Sequence, residues 1–124
     1  MEKNLTLNEY QYKAMSTCMD TCDNLAYMLS GLTAEVGEIN DKVAKAVRKG
    51  KISLHRNNLS FWIDGESAEE FQLELAKEIG DALWFLAGLS KVIGYKLGEI
   101  GDINIEKLQS RKKRGVIDGN GDNR

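Results

Sequence analysis

The sequence predicts an all-α fold, four helices arranged like a four-helix bundle in one domain spanning residues 1–124. Three observations carry that expectation. The chain of 124 residues holds no proline beside twelve glycines, and proline is the residue that helix interiors exclude most strongly. Apolar residues recur at helical spacing across two long stretches, 25–47 and 71–93. Two capping boxes, Thr6-Leu-Asn-Glu9 and Ser67-Ala-Glu-Glu70, mark helix starts.

The first helix is expected from Thr6 towards Met19. The second runs from Asn24 to Lys49 on a stripe of Leu25, Met28, Leu29, Leu32, Val36, Ile39, Val43 and Val47. Arg48 and Lys49 suit the negative end of its dipole, and Gly50 closes it. Residues 51–66 break the period and contain turn formers, which leaves an irregular loop, a short hairpin or a lid open. The third helix follows from Ser67 to about Tyr95, with Phe71, Leu75, Ile79, Ala82, Leu86, Leu89 and Ile93 facing the core. A glycine-containing turn then precedes a short fourth helix from Asn104 to Arg114, and residues 115–124 form a polar, mobile tail.

Composition excludes several classes of function. With 42% hydrophobic and 29% charged residues the chain is neither disordered nor membranous. Its longest apolar run, Ala82–Ala87, is far below the roughly 20 residues of a membrane span. A net charge of −2 is no footprint for a nucleic-acid polymer. The opening Met1-Glu-Lys-Asn leads into no apolar core, so a cytoplasmic protein with reduced, structural Cys18 and Cys22 is expected. Two cysteines and the single His55 are too few for a zinc site or for most histidine chemistry.

What remains is carboxylate chemistry. Helix two carries Glu35-Val-Gly-Glu38 and helix three carries Glu78-Ile-Gly-Asp81. Acids three apart are neighbours on a helix and mildly repel, so doing this twice is a poor choice for stability alone. Both pairs lie on the same flank of their apolar stripes, in the same rotational sense. Antiparallel packing would bring all four acids together, whereas parallel packing would point them to opposite sides. Oxygen-only ligands favour Mg²⁺, with Mn²⁺ next, and such a site usually serves a phosphate-bearing substrate. Di-iron chemistry needs a histidine three residues after a glutamate, which His55 is not. Glycine at the third position of each pair, Gly37 and Gly80, is read as a place of close backbone approach.

Ala34-Glu-Val-Gly-Glu38, Ala76-Lys-Glu-Ile-Gly-Asp-Ala-Leu-Trp84 and Asn104-Ile-Glu-Lys-Leu-Gln-Ser-Arg111 resemble the MazG-type nucleotide pyrophosphohydrolases. The ending Arg114-Gly-Val-Ile-Asp-Gly-Asn-Gly-Asp-Asn-Arg124 is similar to that of the small MazG-like proteins of phages and bacteria. The resemblance implies an all-α enzyme that hydrolyses nucleoside triphosphates, deoxynucleotides or non-canonical ones, to monophosphate and pyrophosphate with Mg²⁺. It implies Glu35, Glu38, Glu78 and Asp81 as metal ligands, with Glu38 as the residue that orients or deprotonates water. Lys107 and Arg111 match basic positions that contact phosphates, and Lys42 and Lys45 are second candidates. Trp62, with Phe61 and His55, either stacks on a base or packs over the core.

The resemblance also implies a homo-oligomer, dimer or tetramer. Gly80, Leu83, Trp84 and Ala87 form an apolar patch on helix three that either a partner or the first and last helices must cover. Two other functions stay open on these residues: hydrolysis of a guanosine alarmone, and a non-catalytic helical interaction module.

Overall fold

The computed structural model describes residues 4–55, 58–61 and 65–124, without the side chains of 53–55, 58–61 and 65–67. The elements in chain order are α1 (Leu7–Met15), a 3-10 turn (Asp20–Cys22), α2 (Leu25–Arg48), β1 (Ile52–His55), β2 (Asn58–Phe61), α3 (Gly65–Val92) and α4 (Leu97–Lys113). The all-α expectation holds. The stretch 51–66 contains an antiparallel hairpin, with Ile52 opposite Phe61 and His55 opposite Asn58. No helix among the described residues is long and apolar enough to cross a membrane.

Local chemistry sets most helix ends. The Thr6–Glu9 capping box is formed: the Glu9 amide donates to Thr6 Oγ1 at 3.1 Å and the Thr6 amide to Glu9 Oε2 at 2.8 Å. The Asn24 side chain accepts from the Tyr27 amide at 2.8 Å and starts α2. At its far end Gly50, with φ of 71°, closes a Schellman turn: the Lys51 amide donates to the Ala46 carbonyl and the Gly50 amide to the Val47 carbonyl.

Three boundaries differ from expectation. Helix α1 stops at Met15, not Met19, because the Ser16 and Thr17 hydroxyls donate to the carbonyls of Lys13 and Ala14. Cys18 and Cys22 therefore do not share a helix face, and neither forms a disulfide. Helix α3 starts at Gly65, which places Ser67 inside the first turn instead of at the cap. Helix α4 starts seven residues early, at Leu97. Its free N-terminal amides are capped from α1: Leu97 donates to Gln11 Oε1 at 2.9 Å and Gly98 to Asn8 Oδ1 at 2.7 Å. Gly98 and Gly101 are thus helical, and a Cβ on either would press on Asn8 or Leu7 of α1.

Helices α2 and α3 pack antiparallel: Met28 meets Gly88, Gly31 meets Phe85, Glu35 meets Asp81, and Lys42 reaches Glu74. The close approach occurs at Gly31, where a Cβ would run into the Phe85 ring, and at Gly88, where it would meet Met28. A Cβ on Gly37 or Gly80 would meet nothing within 4 Å, so the sequence reading of close approach there is corrected.

The same contacts rotate the core. Met28, Ala46, Ile52 and Ala87 are buried, while Leu25, Leu29 and Val36 of α2 and Ile79, Leu86 and Ile93 are 41–57% exposed. Much of the expected core stripe therefore faces outward. The patch that looked spare is covered instead: the Trp84 indole donates to the Ala14 carbonyl at 3.0 Å and Thr17 Oγ1 at 2.9 Å, and Gln11 donates to the Ala87 carbonyl at 3.1 Å.

Candidate metal centre

Antiparallel packing brings carboxylates of two helices together. One oxygen each of Glu35, Glu78 and Asp81 lies within 4.8 Å of the others. Glu35 and Glu78 are half-buried and Asp81 is exposed, so the cluster sits at the rim of the α2–α3 interface. Burial first, then the charges of Asp81, Glu78 and Glu38, push the Glu35 carboxyl above its ordinary range. A divalent cation relieves that repulsion, and three hard oxygen donors fit Mg²⁺ or Mn²⁺.

Glu38 stands one turn further along α2, outside this triad. It lines an adjoining basin of about 200 Å³ together with Lys42, Lys45, Lys49, Lys51 and Glu74. Lys42 links the two places, with its Nζ 3.5 Å from Glu78 Oε1 and 3.8 Å from Glu74 Oε2. Lys45 pairs with Asp41 at 2.6 Å.

The basic positions on α4 are engaged elsewhere. Residues 115–124, expected as a mobile tail, turn back on the helix. Buried Arg111 donates to the Asp122 carboxylate at 3.0 Å and to its carbonyl at 3.2 Å, and Lys107 lies 3.4 Å from the same carboxylate. Arg111 first, then Lys107, holds the Asp122 carboxyl below its ordinary range. No contact among the described residues joins Lys107 or Arg111 to the acidic triad. Trp62 lies outside the described residues, as do the side chains of Phe61 and His55.

Two neighbours escaped the sequence reading. Glu74 answers Lys42, and its place one turn before Glu78 on α3 could have signalled it. Tyr10 of α1 faces the cluster; burial, then the Asp81 charge, raise its phenol above the usual range. No local pattern points to Tyr10, because the fold alone sets α1 beside α3.

A larger cleft, about 850 Å³, opens between α1 and the α3–α4 junction beside Gln11, Tyr12, Met15, Tyr95 and Lys96. It contains none of the acidic pairs.

The chain is 37% identical over 113 residues to the Gene 37 protein of Mycobacterium phage L5, covering 91% of this chain and 87% of that one. No solved structure matches. The family model of the MazG nucleotide pyrophosphohydrolase domain matches residues 24–116, from the cap of α2 through α4, and therefore includes both acidic pairs. The chain belongs to the MazG nucleotide pyrophosphohydrolase family.

Proposed function

We propose that this protein hydrolyses nucleoside triphosphates, deoxynucleotides or non-canonical ones, to the monophosphate and pyrophosphate, with Mg²⁺ held by Glu35, Glu78 and Asp81. The observation that carries this reading is the convergence of three oxygen donors from α2 and α3 beside a lysine-lined basin. Mn²⁺ suits the same donors.

Glu38 lies beside the triad but is not part of it, which leaves its carboxylate to orient the attacking water and take its proton. The water oxygen bonds to phosphorus, the α–β anhydride opens, and the bridging oxygen leaves on pyrophosphate. Lys42, already paired with Glu78, orients that carboxylate and lends charge to the phosphates, as does Lys45. When bound, the cation neutralises phosphate charge and lowers the barrier to attack. Lys107 and Arg111 reach phosphates only when released from Asp122.

The protein acts as a homo-oligomer in this reading. Leu25, Leu29 and Val36 lie about a quarter-turn from the α3-facing line of α2, and Ile79, Leu86 and Ile93 about a third of a turn from the α2-facing line of α3, in the same sense. Antiparallel helices thus present both rows on one side, while α1 covers the other. A second copy bringing the same face is the simplest cover.

The test is pyrophosphate release from a panel of deoxynucleotides, oxidised nucleotides and guanosine alarmones with and without Mg²⁺. Turnover should require Mg²⁺ and fall at least about 100-fold in Glu78→Gln. Millimolar Mg²⁺ should raise Tm, and Glu35→Gln with Glu78→Gln should abolish the rise. Preference for the alarmone would change the substrate. No turnover on any nucleotide would overturn the enzyme and leave a helical interaction module.

A further inference from the structure

We propose that Lys49 and Lys51 complete, with Lys42 and Lys45, a subsite that holds the two terminal phosphates of the substrate and then the leaving pyrophosphate. This rests on the hydrolase reading and adds to it two residues and a direction for the bound nucleotide.

The residues Glu35, Glu38, Lys42, Lys45 and Lys49 follow one another at intervals of three, four, three and four. That spacing keeps them on one face of α2, with the acids at one end and the lysines at the other. Lys42, Lys45 and Lys49 lie about 6, about 10 and about 16 Å beyond Glu38 along the axis. Lys51 is off the helix and is returned to the same basin by the Schellman turn at Gly50. Buried Ile52, the next residue, anchors it. Its place is therefore built by the fold.

The helix dipole alone explains these lysines poorly. It accounts for Lys45 in the last turn and Lys49 at the cap, but not for Lys42, well before the last turn, nor for Lys51 beyond the end. Lys42 and Lys45 have carboxylate partners, but Lys49 and Lys51 form no ion pair with any described residue. Among the described residues their ammonium groups are therefore open to an anionic ligand in the basin.

Four lysines against three carboxylates, Glu38, Asp41 and Glu74, leave the basin a positive excess that suits phosphate oxygens better than a nucleobase. A nucleotide lying along α2 with its α–β bridge near the carboxylates would place the β- and γ-phosphates among the lysines. Charge develops on the departing pyrophosphate as the bridge opens, so the same lysines favour departure.

Inorganic pyrophosphate is the probe, used on the full chain with Mg²⁺. Lys49→Gln with Lys51→Gln should weaken pyrophosphate inhibition and its calorimetric binding at least about tenfold and lower kcat/KM by at least a comparable factor. Arginine at both positions should restore binding. A charge-matched control, Lys13→Gln with Lys113→Gln, on exposed positions that do not line the basin, should change neither. The subsite is overturned if pyrophosphate binds the Lys49/Lys51 glutamine variant as well as the unaltered protein, if the control weakens it equally, or if the unaltered protein does not bind it. Were the unaltered protein to turn over no nucleotide, the hydrolase reading would fall, and the pyrophosphate titration would still decide the subsite.

Discussion

Gln11 is the side chain on which three elements meet. It is buried, and its amide donates to the carbonyls of Ala87 and Tyr95 while its oxygen accepts from the Leu97 amide. Removing it strands buried backbone groups in α3, in the turn after it and at the start of α4. Gln11→Ala should therefore cost about 2 kcal/mol in urea denaturation at fixed protein concentration, well above the cost expected for a surface substitution. Asp122 behaves differently because it is exposed. Its carboxyl titrates below the ordinary range when the tail is docked on Arg111 and Lys107. The docking energy is thus present above the ordinary aspartate range of about 4 and lost as pH falls through the lowered value. Heteronuclear NOEs of residues 117–124 should drop on acidification, and Asp122→Asn should lower them at pH 7. Equal NOEs in that variant would show the tail held by other contacts, such as those of Arg124 to the Val116 and Ile117 carbonyls.

At the scale of elements, the four glycines inside α2 and α3, past the first turn of each, fall into two kinds. Gly31 and Gly88 sit at the crossing, whereas Gly37 and Gly80 face open space in the helix. Gly31→Ala forces the Phe85 ring aside and should destabilise by about 1–3 kcal/mol. Gly88→Ala meets only a flexible Met28 and should cost less. Gly37→Ala and Gly80→Ala should each stabilise by about 0.5–1 kcal/mol by the helix preference of alanine. Denaturation midpoints of the four variants check the order. The contrast also shows what the sequence could reveal. Helix existence, the Thr6 cap, the Gly50 stop and the two acidic pairs on one flank are local patterns, and all were legible. The crossing point was not, because Gly31 gains its meaning only from Phe85, 54 positions away. The start of α4 was hidden for the same reason, since Asn8 and Gln11 cap it from the other end of the chain. Glu38 was grouped with three acids by spacing, and the structure draws only three of the four carboxylates together.

Over the whole molecule, burial is uneven. The side that α1 covers is closed by hydrogen bonds and an edge-on Trp84–Phe85 contact, with ring centroids 5.0 Å apart. The other side leaves large aliphatic side chains of both helices, Leu29 and Leu86 among them, about half exposed. A monomer rarely keeps such a face in water. Sedimentation equilibrium at micromolar concentration should find a dimer or tetramer, and Leu29→Glu with Leu86→Glu should give monomers. A monomeric unaltered chain would refute the interface.

Trp84 gives this arrangement an optical signature. Its indole bridges α1 and α3, and its ring lies against Phe85, which in turn meets Tyr27 and Gly31 of α2. The only other tryptophan is Trp62, so a Trp62→Phe protein would emit from that one junction. A red shift that precedes the loss of helical dichroism would then report α1 lifting from a still-folded α2–α3 pair. A shift that coincides with it would mean that all three helices come apart as one cooperative unit.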